Sequence, residues 1–65
     1  MKNFPLPKLP EGCQYGAEII LRHPASGEFH APAGHAIKSI DFEAENVVCV
    51  PIQKLVNGQW VTIQD

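Results

Sequence analysis

An Asn57-Gly58 pair lies between two runs rich in β-branched and aromatic residues, at positions 47–56 and 59–64. Both central residues of a type I′ turn need a positive φ, which asparagine and glycine adopt at low cost. The pair therefore predicts a two-residue β-hairpin and also fixes its register. In that register Val56 faces Gln59, and the next pairs are Leu55 with Trp60, Lys54 with Val61, Gln53 with Thr62, and Ile52 with Ile63.

The two sides of this hairpin differ in polarity. We expect the more apolar side to form the core, and it carries Val48, Val50, Ile52, Val61 and Ile63. The other side carries Val47, Cys49 and Pro51, with Leu55 and Trp60 near the turn. Because proline has no backbone N–H to donate, Pro51 predicts either a sheet edge or a bulge at its position.

The middle of the chain predicts further strands. Residues 17–23 form a first strand candidate, residues 24–27 a tight turn, and residues 28–31 a short returning strand. Residues 36–42 form a third candidate, with Ala36, Lys38, Ile40 and Phe42 on one side, although Ile37, Ile40 and Ala44 also stand at roughly helical spacing. The polar residues 43–46 predict a turn that leads into the hairpin.

The first twelve residues form a proline-rich arm. Pro5, Pro7 and Pro10 fix an extended path and remove three backbone donors. Two roles are open for this arm. Either Phe4, Leu6 and Leu9 dock on the protein's own sheet, or residues 7–10 act as a PxxP-type ligand for another protein.

Together these segments predict an all-β protein. We expect a small antiparallel sheet of four to five short strands, built from two hairpins as a meander or an SH3-like roll. The arm of residues 1–12 should lie across a single small β domain of residues 13–65. A chain of 65 residues buries only about 60% of its unfolded surface, so a disulfide, a metal or self-association often supports such a fold.

Charge and cysteine content exclude several classes of partner. Five basic residues are scattered singly among seven acidic ones, whereas nucleic-acid-binding modules cluster their lysines and arginines. There is no apolar run long enough to span a membrane, and prolines interrupt the N-terminus where a secretory signal would be apolar. We expect a cytoplasmic protein that binds neither nucleic acid nor membrane, of the kind encoded by small bacterial or bacteriophage reading frames. Cys13 and Cys49 are then expected to be ordinary thiols.

The most distinctive candidate site is an aromatic face on the hairpin. Trp60 and Leu55 form a cross-strand pair on the side expected to be less apolar, and Thr62 and Gln53 follow them. The indole is left exposed on such a face unless the arm, another strand or a second molecule covers it. These four residues therefore predict an interaction surface.

A second candidate surface is acidic. Asp41, Glu43 and Glu45 alternate with other residues, so on an extended segment their carboxylates would point the same way. Such an edge either discourages aggregation between sheets or docks a basic partner.

Three histidines raise the question of a metal. His23, His30 and His35 fall within thirteen residues, with Glu28 between them, and three such ligands suit a zinc ion with one open position. Their spacing matches no compact metal motif, and neighbouring prolines and glycines indicate turns, where histidine is usually a surface residue. We expect no cofactor. Neither Ser26 nor Ser39 stands in an activating context for nucleophilic catalysis.

The sequence favours a non-enzymatic interaction or regulatory module. It is expected to bind itself, as a homodimer, or another protein through the face of Trp60 and Leu55. The alternative is a metal-binding protein or metal-dependent enzyme that uses the three histidines and Glu28.

Overall fold

A computed structural model describes residues 2–23 and 29–63. These residues form an antiparallel sheet of six strands that curls into a half-barrel, and they contain no helix. The all-β prediction is thereby confirmed. The strands are β1 (Lys2–Asn3), β2 (Cys13–Tyr15), β3 (Ile19–Arg22), β4 (His35–Asp41), β5 (Asn46–Val56) and β6 (Gln59–Thr62).

The long strand β5 organises the sheet, since four of the other strands pair with it. The first half of β5 pairs with β3 along one edge and with β4 along the other, and β1 extends the sheet beyond β4. The second half of β5 pairs with β2 and with β6. The molecule is correspondingly long and narrow, with principal extents of 41 × 19 × 16 Å.

The hairpin of β5 and β6 has the predicted register. Val56 pairs with Gln59, Leu55 with Trp60, Lys54 with Val61 and Gln53 with Thr62. The Ile63 N–H donates to the Ile52 carbonyl at 2.9 Å and continues the same ladder. Asn57 and Gly58 have φ values of 51° and 78°, as a type I′ turn requires. The turn prediction and all five pairs are confirmed.

A turn between β4 and β5 is also confirmed, although it spans 42–45 and the predicted last residue, Asn46, begins β5. Asp41 and Asn46 close this hairpin as a pair, and one carboxylate oxygen of Asp41 accepts the N–H groups of Glu43 at 3.1 Å and Ala44 at 3.2 Å. A short aspartate side chain suits this position because it satisfies backbone donors within the turn. Since β4 is a strand, the helical alternative for this segment is wrong.

The sequence predicted a first hairpin between residues 17–23 and 28–31. This prediction is wrong for the residues of that segment that the structure describes. Residues 29–31 are not a strand, and β3 pairs with β5 from Ile19 opposite Cys49 to Arg22 opposite Asn46. The proposed turn at 24–27 and Glu28 lie outside the described residues. The physical reason is that β5 offers β3 a complete ladder, while Phe29 and Ala31 pack against the core instead.

The predicted alternation along β4 is broken by a bulge. Ile37 pairs with Cys49 and Ser39 pairs with Val48, so Lys38 is an extra residue with no partner position on β5. A bulge moves all later side chains to the opposite side of the strand. Ile37 and Ile40 therefore share a side, which corrects the expectation that Ala36, Lys38, Ile40 and Phe42 would do so.

The core also lies on the side of β5 that was expected to be less apolar. Val47 and Cys49 are fully buried and cluster with Ile40. Six half-buried side chains pack around this cluster, namely Phe4, Ile19, Leu21, Phe29, Ala31 and Ile37. The pattern of one hairpin could not indicate this, because β3 and the bulged β4 supply most of the neighbours. Val50 is buried on the other side, so the centre of β5 is covered on both faces.

Pro51 is accommodated by a bulge and not by a sheet edge. Tyr15 pairs with Ile52, and Ile19 pairs with Cys49. Between these two pairs, the three residues 16–18 lie opposite only two residues of β5, Val50 and Pro51. The Gly16 N–H donates to the Pro51 carbonyl at 2.8 Å. In a strand, the backbone N and O atoms of one residue point to the same neighbouring strand. The nitrogen of Pro51, which has no hydrogen to donate, therefore faces this bulge.

The proline-rich arm docks on the protein's own sheet. Its first residues form β1, and the Phe4 N–H donates to the Lys38 carbonyl at 2.9 Å. The Phe4 ring packs against the core, and the Tyr15 hydroxyl donates to the Pro7 carbonyl. Leu6 and Leu9 are half-buried. The arm is thus an integral part of the fold, as the first of its two predicted roles required.

Candidate functional site

The hairpin turn places Leu55 and Trp60 side by side at one end of the molecule. In a two-residue hairpin the residues beside the turn, Val56 and Gln59, exchange hydrogen bonds. The next pair, Leu55 and Trp60, is then a non-bonded pair, in which the two side chains approach most closely. Leu55 is nevertheless 51% exposed and Trp60 44% exposed, so the strands beside them leave about half of each side chain in contact with solvent.

All four residues predicted to form the interaction surface lie on one side of this hairpin. Gln53 and Thr62 pair directly below Leu55 and Trp60 and are half-buried. The Gln53 side chain accepts a hydrogen bond from the Gln14 amide at 3.2 Å. The surface is therefore apolar at the tip and polar toward the centre of the sheet, and we call these four residues the hairpin face.

The backbone of β6 adds a feature that the sequence analysis missed. Gln59, Val61 and Ile63 direct their main-chain polar groups toward β5, because these are the hydrogen-bonded positions of the hairpin. The N–H and C=O groups of Trp60 and Thr62 consequently point away from β5. Within the described residues β6 pairs with β5 alone, so these four polar groups lie along an open edge. The signal available in the sequence was the absence of charge from residues 59–64.

Two other large apolar residues in the described part of the chain are strongly exposed, but they lie away from the hairpin tip. Ile20, on β3, is 68% exposed and pairs with Val48 of β5. Val48 lies seven residues before Leu55 along β5, which corresponds to about 23 Å. Phe42 is 61% exposed and meets the ring of His23 edge-on, with ring centroids 5.8 Å apart. Neither residue belongs to the hairpin face.

The acidic residues do not lie on an extended segment. Asp41 ends β4 and its carboxylate is occupied by the turn, while Glu43 and Glu45 belong to the turn itself. The Glu45 carboxylate pairs with the Arg22 guanidinium at 3.3 Å. The expectation of three parallel carboxylates is therefore wrong, because Asp41 bends the chain. Docking of a basic partner at these residues stays a prediction.

All three predicted histidines lie within the described residues. The His23 ring stacks on Phe29 with centroids 5.9 Å apart, and His35 Nδ1 donates to the Ala33 carbonyl at 2.9 Å. His30 is exposed. Residues 2–23 and 29–63 contain no group of three or more histidine, cysteine, aspartate or glutamate side chains that could hold a metal ion, and no pocket. Glu28, the fourth predicted ligand, lies outside these residues.

The two thiols are not bonded to each other. Cys49 is fully buried in the core, and this burial raises the pKa of its thiol. Cys13 is half-buried in β2. A buried thiol with a raised pKa is a poor nucleophile, since the thiolate is the reactive form. The structure gives Cys49 a packing role.

Comparison with known proteins identifies no relative of this chain. Across the described residues there is no helix of the length and hydrophobicity needed to cross a membrane. No protein-family model matches this chain, and no curated protein or solved structure is significantly similar to it.

Proposed function

We propose that this chain is a non-enzymatic interaction module that binds a protein through its hairpin face. The observation that carries the proposal is the exposed cross-strand pair of Leu55 and Trp60. Tryptophan is among the residues most enriched at the energetic centres of protein interfaces, where its truncation commonly costs about 2 kcal/mol or more. An exposed tryptophan beside an exposed leucine is therefore a suitable anchor.

The rigidity of the hairpin supports the same proposal. The Leu55 N–H donates to the Gly12 carbonyl at 3.0 Å, so β2 holds this strand from the side opposite β6. The type I′ turn holds the end of the hairpin at which β5 and β6 are joined. Binding loses affinity when loops and side chains must first be ordered, and a paired hairpin has already lost most of that freedom.

The test is site-specific photo-crosslinking in growing cells that express the chain. A benzoylphenylalanine at position 55 should give a discrete adduct with a protein, which mass spectrometry then identifies as this chain or another. The matched control carries the same group at position 20, which is also exposed but distant from the hairpin face. Adducts at position 55 that persist with the purified partner and disappear in Trp60→Thr support the proposal. Equal labelling from positions 55 and 20, or none from either, contradicts it.

A further inference from the structure

We infer that the protein bound by the hairpin face is a second copy of this chain, joined by antiparallel pairing of the two β6 strands about a twofold axis. This inference rests on the proposed function and specifies its partner. The joined sheets would run continuously from one copy into the other. Pairing at a sheet edge uses main-chain hydrogen bonds for affinity and alternate side chains for fit.

The open edge of β6 lacks the charges that protect the edges of β1 and β3. Natural sheets protect exposed edges with charges and prolines. Lys2 lies in β1, Arg22 ends β3, and Glu18 directly precedes β3. By contrast, β6 (Gln59–Thr62) has neither a charge nor a proline. The other uncharged edge strand, β2 (Cys13–Tyr15), has only three residues, and a very short edge strand is itself a form of protection. An uncharged edge meets an identical edge without electrostatic repulsion, which suits self-pairing.

The positions of the outward polar groups determine the register. If Trp60 of one copy pairs with Thr62 of the other, each pair exchanges two hydrogen bonds and all outward groups of both residues are satisfied. Val61 then faces Val61 of the second copy on the axis, as a non-bonded pair with close side chains. Val61 is 43% exposed in the single chain, so this contact would cover it.

The exposed area of the single chain is large enough for an interface with a second copy of it. The single chain exposes 4810 Å², whereas a compact monomer of its mass exposes about 4,100 Å². The excess is roughly 700 Å² per chain, close to the ~800 Å² that each partner contributes to a standard interface. The radius of gyration, 13.0 Å, likewise exceeds the ~11 Å expected for a compact chain of this length.

The small core gives a reason for association. Among the described residues, the buried large core side chains are few, namely Ile40, Val47, Cys49 and Val50. Six large apolar residues within 2–23 and 29–63 are exposed instead, and four of these lie at the hairpin tip: Leu55, Val56, Trp60 and Val61. Domains of this size commonly gain stability by oligomerising. A second copy at β6 would cover the part of the surface where apolar exposure is concentrated.

The experiment is sedimentation equilibrium from about 1 μM to about 1 mM, a range that spans weak to moderate dimer affinities. The chain should dimerise. Val61→Lys should weaken the dimer at least about tenfold relative to Val61→Thr, because the two new lysines would face each other across the interface. Each new lysine also faces Lys54 of its own chain, so circular dichroism must show that the monomer keeps its fold. A mixture of Val61→Lys and Val61→Glu should form a heterodimer at least about tenfold tighter than either homodimer, since the two charges are then opposite.

A backbone variant tests the edge independently. Thr62→Pro removes an outward N–H that makes no bond to β5, so the hairpin can still form while pairing between copies loses a donor. Thr62→Val keeps that donor and a branched side chain. Dimerisation should be lost in the first variant and retained in the second. If Thr62→Pro fails to fold, as judged by circular dichroism, the charge pairs at position 61 decide the question.

Three outcomes overturn the inference, and they distinguish it from the proposed function. A chain that stays monomeric to about 1 mM, yet crosslinks another protein from position 55, has the proposed function but a different partner. A dimer that needs Trp60 but is indifferent to charge at position 61 uses the hairpin face without pairing β6. A dimer unaffected by changes at positions 60, 61 and 62 contradicts both the inference and the proposed function.

Discussion

Gly34 lies directly against the main chain of Ile63. A Cβ atom added to Gly34 would come within 2.0 Å of the Ile63 carbonyl oxygen, and the φ of Gly34 is +74°. The Ile52 N–H donates to the Gly34 carbonyl at 2.7 Å, and the Ile52 carbonyl accepts from the Ile63 N–H at 2.9 Å. The start of β4 and the end of β6 therefore meet along the same edge of β5. The absence of a side chain at Gly34 therefore leaves room for Ile63, the residue that follows β6.

Gly34→Ala should consequently lower the free energy of unfolding by about 3 kcal/mol, from the overlap and from the left-handed backbone together. The matched control is Gly12→Ala. Gly12 has a similar φ of +82° but nothing within 4 Å of an added Cβ, so it should lose only about 1 kcal/mol. Urea denaturation measures both values. Equal losses in the two variants would show that the contact with Ile63 carries no energy.

Phe4→Ala should destabilise the protein by about 2 kcal/mol, because the ring packs against the core cluster. Phe42→Ala, which removes a ring that is 61% exposed, should cost less than about 1 kcal/mol. Chemical denaturation of the two variants compares a docked phenylalanine with an exposed one. If Phe4→Ala is as mild as Phe42→Ala, the arm is not part of the cooperative fold.

The two thiols should differ in reactivity. Iodoacetamide should modify Cys13 in the folded chain and reach buried Cys49 only after denaturation, so mass spectrometry of the native protein should show a single adduct. Cys13→Ser is the control and should show none. Rapid double labelling of the native chain would mean that the core opens readily.

The raised pKa of Cys49 also gives a pH dependence. Because the pKa in the folded state lies above the ordinary value of 9.0, the unfolded thiol ionises first. Its contribution to stability is complete below pH 9.0 and is lost as the pH rises from there through the folded-state pKa. Urea midpoints measured above pH 9.0 should fall with rising pH, and less steeply in Cys49→Ala. Midpoints that fall equally in both proteins would contradict this assignment.

Trp60 is the single tryptophan and reports on its own surface. Its emission should shift to shorter wavelength as protein concentration rises, since association removes the half-exposed indole from water. Val61→Lys should keep the long-wavelength emission of the dilute protein at every concentration. An emission maximum that stays constant across concentrations at which sedimentation shows a dimer would show that association leaves Trp60 in water.

Local chemistry made part of this structure predictable. The Asn57-Gly58 turn determined five cross-strand pairs. Trp60 is exposed as expected, but the expected reason was wrong, because its partner Leu55 lies on the same side of β5 as the core residues Val47 and Cys49. The position of β3 and the side of the core were not predictable from the hairpin pattern. They depend on which edge of β5 each segment joins, and on the bulge at Lys38, which the simple alternation of β4 gives no sign of.

For the candidate site, the sequence placed the four residues of the hairpin face on one side of the hairpin but did not indicate the open edge beside it. Whether the polar groups of Trp60 and Thr62 are satisfied depends on which strand lies next to β6, and this is a property of the whole sheet. The lack of charge in β6 was visible in the sequence, but it became informative only when the other edges could be compared with it.

Amide hydrogen exchange measured by NMR at low and high protein concentration tests the central claim most directly. In the dilute monomer the outward amides of Trp60 and Thr62 should exchange quickly, while the Val61 amide, bonded to β5, is protected. Raising the concentration should slow Trp60 and Thr62 at least about tenfold, because pairing between two β6 strands engages both amides. Rates at Trp60 and Thr62 that do not change with concentration, in a sample shown to dimerise, would contradict pairing through β6.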